Sequence, residues 1–498
     1  MRLGTALILT TLGAGIAGCG SSDDDKPSTS SGGTTSTGGS TSTGGSSSGG
    51  ATSGGGTGGN TGGAAGVGGG GAAGMAGAAG AAGAGGTSAL GFPRLATMNI
   101  GNPKNYDDDT HQTELARNDI AVLGMYVGWK KNGKTPAQAV GEIKAKNPNM
   151  VIANYTILTE SNATPNPASQ YVWDKLSGEV GPNGKWDWWA HDAAGNHTDW
   201  SGGTYSIWDT NLTLFVKPDS NGDRFPEWAA QAFYDHLLAN APFDAWYFDN
   251  NFWRPRSNAD WNGDGTNDDK NDATVQKWYR QGIRAHYDRA AVIAPNLFRI
   301  VNADSDLSGD VKPANIAHFD EYKDAVHGAY LEHVMGASYS AENQGFAYAL
   351  GWYQKVFDNL LEPKFVILNV KGASDDYQLL RYALAMTLLD DGYFSYDPGD
   401  YNTLPWFDEY DLAGTAGTHW LGAPIDPPQS SAWQNGVYRR RFEHGMAIVN
   451  PKGNGAQTVT VESGYAHFKG TQAPTVNDGQ AVTTVKLSDR DGVLLVKQ

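Results

Sequence analysis

Two carboxylates stand where short apolar runs of the sequence end or are interrupted. The run AWYFDNN contains Asp249 directly after Trp246, Tyr247 and Phe248, and the run GAYLEHV carries Glu332 among apolar neighbours. Placing a carboxylate there is costly unless the group faces a cavity or meets a partner. Two such groups with different surroundings can act as a general acid and a general base. The sequence therefore predicts acid/base chemistry by paired carboxylates.

The surroundings of each carboxylate suggest its role. Apolar neighbours raise a carboxyl pKa by disfavouring the charged form, so Glu332 is predicted to be the acid. Asp249 is predicted to be the nucleophile or base, with Asp304 in reserve for either role. Glycoside hydrolysis requires one protonated and one ionised carboxyl group in this way. The alternative for each residue is a carboxylate that only pairs with a nearby arginine or caps a loop.

Aromatic and amide side chains that could bind sugar rings lie close to these carboxylates or in one long segment. Between the third and fourth apolar runs lie about 85 residues with little helical periodicity before a final helix, a length that is unusual unless the segment is functional. Six tryptophans precede that helix. Flat aromatic faces suit the faces of sugar rings. The residues predicted to bind substrate are Asn250, Asn251, Trp253, Trp188, Trp189, Trp208, Tyr155 and Asp397. The alternative is that the tryptophans of the long segment form a small core that folds the loop.

A calcium loop is predicted after the fourth run. Oxygen-bearing side chains at the first, third, fifth and ninth positions, with glycine at the sixth, match an EF-hand loop. The twelfth position departs from that pattern, because it holds Asn271 instead of a bidentate glutamate. The predicted ligands are Asp260, Asn262, Asp264, Thr266, Asp268 and Asp272. The alternative is a merely polar loop.

Other cofactor chemistry has little support in the sequence. There is no HExxH motif and no Walker loop, and the eleven histidines show no spacing typical of metal ligands. Apart from structural calcium, no metal and no organic cofactor are expected.

Eight short apolar runs alternate with amphipathic helical patterns, which predicts an α/β protein with a (β/α)8 barrel, the TIM-barrel fold, over residues 89–424. An open doubly wound sheet is disfavoured because no glycine-rich phosphate turn follows the first run. The runs span residues 95–101, 121–129, 150–158, 245–251, 297–304, 328–334, 364–370 and 392–397. In such a barrel the strand ends meet at one mouth, where the carboxylates would lie.

The two ends of the chain have different patterns. Short alternating strands over residues 425–498 predict a small antiparallel β-sandwich, with an independent binding module as the alternative. Residues 1–18 resemble a lipoprotein signal peptide, and Ile16-Ala17-Gly18-Cys19 resembles the lipobox before a lipidated cysteine. Residues 19–88 are rich in Gly, Ser, Thr and Ala, which predicts a disordered tether. We therefore expect an exported, lipid-anchored protein, with the outer membrane or cell surface favoured.

Composition narrows the possible partners. Lys and Arg total 36 against 53 Asp and Glu, a formal net charge of −17, and no basic patch is visible, so nucleic acid is not an expected partner. Cys19 is the chain's only cysteine, which excludes internal disulfides and thiol catalysis. The 16 Trp and 22 Tyr agree with a carbohydrate ligand.

Several ordered segments resemble a family of hypothetical glycoside hydrolase-like barrels. They are FDAWYFDNNFWRPR, DWNGDGTND, LLRYALAMTLLDDGYFSYD, WFDEYDLAG and GVYRRRFEHGMAIVNP. The resemblance covers roughly residues 90–498 and implies a TIM barrel, a C-terminal β domain and a polysaccharide substrate. Asp249 matches the family's aspartate at the end of the fourth strand, and Glu332 matches less closely.

The leading functional prediction is a glycoside hydrolase that acts on an extracellular or cell-wall polysaccharide. The alternatives are a carbohydrate-binding or adhesion lipoprotein without a working carboxyl pair, and a purely structural surface protein. The separation of the Asp249 and Glu332 carboxyl groups discriminates between them, because catalysis requires the two groups to converge.

Overall fold

The computed structural model describes residues 91–126, 129, 132–303, 319–337 and 340–498. The predicted signal peptide and tether, Cys19 and Asp304 lie outside these residues, so what the sequence suggests for them stays a prediction. No helix in the described part of the chain is long and apolar enough to cross a membrane.

Eight parallel strands form the predicted barrel, one at each of the eight apolar runs. They are β1 (Ala96–Asn99), β2 (Ile120–Leu123), β3 (Val151–Ile157), β6 (Ala245–Asp249), β7 (Phe298–Asn302), β8 (Gly328–Met335), β9 (Phe365–Lys371) and β10 (Tyr393–Asp397). The hairpin strands β4 (Glu160–Asn162) and β5 (Ile207–Asp209) lie in the long connection between β3 and β6. Neighbours in the barrel follow chain order. Leu95 bridges to Phe394, which brings the first and last strands together and confirms the (β/α)8 class.

The alternation of side chains along the strands brings polar groups to the mouth. Tyr247, Ile300 and Tyr330 point into the barrel and belong to its inner apolar core. Successive residues of a strand face opposite sides, so the residue two positions later points inward as well. On β6 that residue is Asp249, and on β7 it is Asn302. The inner face is therefore apolar below and polar where the strands end.

Helices cover the outside of the barrel, and several begin with side-chain caps. The helices are α1 (Asp109–Leu115), α2 (Pro136–Lys146), α3 (Gln170–Gly178), α4 (Phe225–Phe233), α5 (Ala273–Ile293), α6 (Phe346–Val356), α7 (Tyr377–Thr387) and the short α8 (Asp408–Asp411). A capping box of Thr135 and Gln138 starts α2, with Pro136 in its first turn. A π-helical turn, Tyr234–Leu238, continues α4. These caps satisfy backbone N–H groups that have no partner within the helix.

The C-terminal part of the chain is an antiparallel β unit, as predicted. Its strands are β11 (Tyr438–Arg441), β12 (Gly445–Asn450), β13 (Gln457–His467), β14 (Ala481–Leu487) and β15 (Asp491–Lys497). They belong to one five-stranded sheet of order β11-β12-β15-β13-β14, where the sequence suggested a sandwich. One face, with Ala447, Val449 and Leu494, joins the apolar core outside the barrel strands. The other face, which includes Ile448 and Val493, has an apolar cluster of its own.

Candidate active site

Asp249 and Glu332 converge at the mouth through the side chain of a third residue. Asn302 ends the strand between theirs, and its Nδ2 donates to Asp249 Oδ1 at 3.0 Å and to Glu332 Oε2 at 2.8 Å. Because one nitrogen bonds both, the two acceptor oxygens lie less than about 6 Å apart. The carboxyl groups are therefore neighbours along one wall of the barrel.

Two tyrosines hold the outer oxygens of these carboxylates. Tyr155, on β3, donates its hydroxyl hydrogen to Asp249 Oδ2. Tyr401, in the loop after β10, donates its hydroxyl hydrogen to Glu332 Oε1. Asp249 is only 3% exposed, whereas the Glu332 side chain keeps 14% of its surface open. The site is thus ordered by hydrogen bonds and reachable by solvent at Glu332.

An irregularity in β8 adds a histidine to the site. The register of β8 against β9 shifts between Leu331 and Met335, and His333 has a φ of 45°. His333 Nε2 lies 3.3 Å from the Tyr401 hydroxyl and 4.0 Å from Asp397 Oδ2. The shift allows two consecutive residues of β8 to reach the mouth.

Asp397, a predicted substrate-binding residue, orders the loop that carries Tyr401. Its Oδ1 accepts hydrogen bonds from the backbone N–H groups of Gly399, Asp400 and Tyr401 at 2.9, 3.2 and 3.1 Å. Its other oxygen is buried near His333. Asp397 therefore positions the tyrosine that bonds Glu332.

The electrostatics of the mouth suit a carboxyl group that keeps its proton. Burial raises the pKa of Glu332 above its usual range. The neighbouring charge of Asp249 raises this pKa further. His333, Tyr401 and Asn302 act in the opposite direction, because a positive charge or a hydrogen-bond donor favours the ionised form.

A second buried carboxylate lies beside this pair. Glu160, the first residue of β4, contacts the Arg256 guanidinium and accepts a hydrogen bond from Trp200 Nε1 at 2.5 Å. Burial raises the pKa of Glu160 to about 7, against the effect of Arg256 and with a smaller contribution from the charge of Asp249. Arg256 also lies over the Trp200 ring, 3.5 Å from its centroid. This ion pair belongs to the wall next to the Asp249–Glu332 pair.

The predicted substrate-binding residues after β6 mostly contact other residues of the protein. Asn250 is buried and has a φ of 55°, which turns the chain directly after Asp249. Asn251 Oδ1 accepts the Tyr287 hydroxyl at 2.6 Å. Trp253 is 8% exposed and stacks on Phe319. These residues shape the base of the loop more than they offer an open surface.

The tryptophans of the long connection do not form one exposed wall. Trp188 and Trp189 are fully buried, and their indole N–H groups bond Lys217 O and Ser177 Oγ at 3.1 and 3.0 Å. The alternative interpretation, a core that folds the loop, describes these two residues. Trp208 is half-buried and stacks on His197 with ring centroids 3.7 Å apart.

The predicted calcium loop has one buried oxygen that suits a cation. Asp260 Oδ2 accepts the Gly265 N–H at 2.9 Å, whereas Asp260 Oδ1 is buried without a hydrogen-bond partner. Asp268 Oδ2 accepts the Trp261 N–H at 3.0 Å. The remaining predicted ligands Asn262, Asp264 and Thr266 make hydrogen bonds to one another within the turn.

Asp272, the last predicted calcium ligand, caps α5. Its side chain accepts the N–H groups of Thr274 and Val275 at 2.7 and 3.3 Å. This role favours helix initiation at that position.

The spacing of the histidines along the chain gives no metal-ligand signal, but the fold brings two histidines together with an aspartate. Among the described residues, one group of at least three His, Cys, Asp or Glu side chains has all its ligand atoms within 4.8 Å of one another. It consists of Asp187, His191 and His197. The sequence spacing does not indicate this cluster, because it forms across a hairpin.

Two residues central to the site, Asn302 and Tyr401, were absent from the sequence prediction. An amide two positions after an inward-facing Ile300, at the end of an apolar run, could have indicated Asn302. Tyr401 lies in an irregular loop, and no sequence periodicity places its hydroxyl group at Glu332.

Comparison with solved structures gives matches of low sequence identity and low TM-score. The glycoside hydrolase domain of PelA from Pseudomonas aeruginosa is 9% identical with a TM-score of 0.35, over 64% of this chain and 97% of that one. The GH36 α-galactosidase AgaA from Geobacillus stearothermophilus is 8% identical with a TM-score of 0.41, over 82% of this chain and 56% of that one. Eubacterium rectale Amy13B is also 8% identical with a TM-score of 0.41, over 82% and 97%.

Comparison with curated proteins gives no match. A family model, in contrast, matches more than half of the chain. The match runs from residue 144 to residue 446, which includes β6, β7 and β8 and the carboxyl pair at their ends. The chain therefore belongs to hypothetical glycosyl hydrolase family 15.

Proposed function

We propose that this protein is a retaining glycoside hydrolase that cleaves an extracellular or cell-wall polysaccharide. The observation that carries the proposal is the Asn302 amide, which donates to both Asp249 and Glu332. Retaining enzymes place their two carboxyl groups about 5–5.5 Å apart, and inverting enzymes about 6.5–9.5 Å. An upper limit of about 6 Å between the nearest oxygens favours retention.

The environments of the two carboxyl groups assign their roles. Glu332 is the general acid, since its raised pKa keeps a proton available for the leaving oxygen. Asp249 is the nucleophile: Tyr155 and Asn302 each donate a hydrogen bond to it, which fixes the position of its carboxylate. After the glycosyl-enzyme bond forms, Glu332 as carboxylate takes a proton from the attacking water.

The test is the release of reducing ends from a panel of polysaccharides, followed by NMR of the product anomer. Asp249→Asn should lower turnover by about a thousandfold or more, since it removes the nucleophile. Glu332→Gln should lose the most turnover on natural glycans and the least on aryl glycosides, because the leaving groups of aryl glycosides need no proton. The matched control is Glu362→Gln, whose carboxyl group is 79% exposed; it should keep full activity.

Three outcomes would contradict the proposal. An inverted product would exclude the retaining mechanism. Near-wild-type turnover of Asp249→Asn would exclude its role as nucleophile. Tight binding on a glycan array without turnover of any polysaccharide would favour the alternative, a carbohydrate-binding surface protein.

We further propose that the chain is exported and anchored to a membrane, with the outer membrane or cell surface favoured, through a lipid on Cys19. The support is the sequence alone: a short apolar stretch before Ile16-Ala17-Gly18-Cys19 and a tether of small residues after it. A catalyst held in this way would stay beside the cell while it reaches polymers outside.

Calcium in the loop that begins at Asp260 is also a proposal. Its support is the spacing of oxygen-bearing residues and the buried Asp260 Oδ1, which has no hydrogen-bond partner. Asp260, Asn262 and Asp264 would contribute oxygens to the ion.

A further inference from the structure

A hairpin in the long connection between β3 and β6 brings two histidines side by side. His191 and His197 form an antiparallel bridge, so they stand directly opposite each other. The turn between them is held by Asp192, whose N–H donates to Asn196 O at 2.8 Å and whose Oδ1 accepts the N–H groups of Ala194 and Asn196 at 2.9 and 2.8 Å. The turn of five residues between the two histidines is therefore held in place by these hydrogen bonds.

A carboxylate completes the group. Asp187 Oδ1 lies 2.7 Å from His191 Nε2, and Asp187 Oδ2 lies 4.0 Å from His197 Nε2. The two imidazole centroids are 4.5 Å apart, and the His197 ring is held by its stack on Trp208. One carboxylate and two imidazoles thus face a common point.

The hydrogen bonds direct ring nitrogens toward that point. His191 Nδ1 lies 3.1 Å from the carbonyl oxygen of Gly195, which can only accept, so Nδ1 carries a hydrogen. With this hydrogen on Nδ1, His191 would coordinate an ion through Nε2, the nitrogen that faces Asp187. A carbonyl that orients a histidine in this way is typical of metal sites. His197 Nε2 is shielded from solvent and has no hydrogen-bond partner.

We propose that Asp187, His191 and His197 bind one divalent transition-metal ion of the zinc type. Two imidazoles and one carboxylate are a ligand set that zinc accepts, with a fourth position left for water, whereas calcium prefers an all-oxygen site. Bonds of about 2.0–2.2 Å in tetrahedral geometry separate neighbouring ligand atoms by about 3.4 Å. The Asp187 carboxylate would therefore move away from His191 by less than about 1 Å, and the wider pairs of ligand atoms, which lie within 4.8 Å of one another, would close toward the same spacing.

The site is accessible and connected to the wall beside the carboxyl pair. The side chains of Asp187 and His197 are 24% and 27% exposed, which leaves an entry path. Asp209 on β5 bonds both sides of the hairpin: its carbonyl accepts the Ala190 N–H and its own N–H donates to Thr198 O, each at 2.9 Å. An ion at the hairpin would thus stabilise the strand that pairs with Glu160.

Zinc titration of the full-length protein tests the proposal without any substrate. After EDTA treatment and dialysis, calorimetry with zinc chloride in excess calcium should show one saturable site. Cobalt(II) in place of zinc should give the visible d–d bands of four-coordinate nitrogen and oxygen ligation. His197→Gln should weaken zinc binding by more than about tenfold. The matched control is His236→Gln, an exposed histidine stacked on Tyr171; it should bind as the wild type does.

The proposal fails if the wild type shows no saturable zinc binding, or if His197→Gln binds zinc as tightly as the wild type. Circular dichroism checks that the variant is folded. If it is not, the cobalt spectrum of the wild type decides, because octahedral bands from oxygen ligands alone would overturn the assignment. Loss of glycosidase activity does not bear on these readouts, so the two proposals can fail separately.

Discussion

Replacing Asn302 by leucine should destabilise the protein in a way that depends on pH. Leucine has nearly the shape of asparagine, so the substitution removes two hydrogen bonds without leaving a large cavity. In the wild type, Asn302 Nδ2 donates to Asp249 and Glu332 at 3.0 and 2.8 Å. The variant leaves two buried carboxyl groups side by side with no donor between them.

The magnitude follows from the charge state of Glu332. A hydrogen bond to an ionised group contributes about 1.5–3 kcal/mol to stability, and one between neutral groups about 0.5–1.5 kcal/mol. The bond to Glu332 therefore contributes about 1–1.5 kcal/mol more when this carboxyl is ionised. Loss of Asn302 should raise the already elevated pKa of Glu332 further, because a donor that favours the ionised form is removed.

The direction of the Glu332 pKa shift determines the pH values at which stability should be compared. A carboxyl whose folded-state pKa is raised loses stability as pH rises from its unfolded value through its folded value. Urea unfolding at pH 4 and pH 9 should therefore show a loss in Asn302→Leu that is about 1–1.5 kcal/mol larger at pH 9. If the protein turns over a glycan, the basic limb of its pH profile should move to higher pH in Asn302→Leu.

Asn369→Leu is the matched control. Asn369 is fully buried on β9, two strands from Asn302 in the barrel, where it bonds Ser395 Oγ and the His333 N–H, each at 3.2 Å. This variant should lose stability by the same amount at both pH values, because no carboxylate is its partner. An equal loss at pH 4 and pH 9 in Asn302→Leu would refute the electrostatic argument for the site.

Five further predictions concern other parts of the chain. Because burial raises the pKa of Glu160 to about 7, wild-type stability should fall relative to Glu160→Gln by about 3 kcal/mol between pH 4 and pH 8 in urea unfolding. Gly282→Ala should destabilise α5 by about 1–3 kcal/mol despite the helix propensity of alanine, since the added methyl would lie 1.7 Å from a backbone oxygen of the long connection. Gly351→Ala, with open space around it, should stabilise α6 by up to about 1 kcal/mol in the same assay. Calcium should raise the melting temperature of the wild type and not of Asp260→Asn, and an equal rise in both would exclude this loop as the site. Cys19→Ser should move the protein from the membrane fraction to the soluble fraction without a change in melting temperature, and a membrane-bound variant would refute lipid anchoring.

The barrel could be predicted because its strands are separate apolar runs of the right length. Each run was bounded by turn residues, and a helical pattern filled most gaps, so period and spacing alone placed all eight strands. The carboxyl pair followed from the same pattern, since Asp249 and Glu332 interrupt apolar runs. The strands and the two carboxylates were therefore both located from local sequence patterns.

The role of the tryptophans could not be predicted in the same way. Trp188, Trp189 and Trp208 have similar neighbours in the sequence, yet two are fully buried and one lies half-buried against His197. Which indole faces solvent depends on how the long connection folds over α4 and α5. Composition indicates abundant aromatic surface and does not say where it points.

The site residues that the sequence analysis missed are brought together by contacts between segments that are distant in the chain. Tyr401 reaches Glu332 across 69 residues of chain, and Asp187 meets His197 only because the hairpin turns back at Asp192. Neither contact has a period or a motif. In contrast, a polar residue at the end of a predicted strand, such as Asn302, is a signal that the sequence alone provides.

Helix α7 has no free side. Every residue from Leu379 to Thr387 is buried. Arg381 donates to Asp491 Oδ1 at 3.0 Å, and its carbonyl oxygen would lie 2.4 Å from a methyl group placed on Gly492. In a barrel that stands alone, the outer half of such a helix would meet water. Here β15 replaces that water, so removal of the sheet would expose the outer side of the helix between β9 and β10.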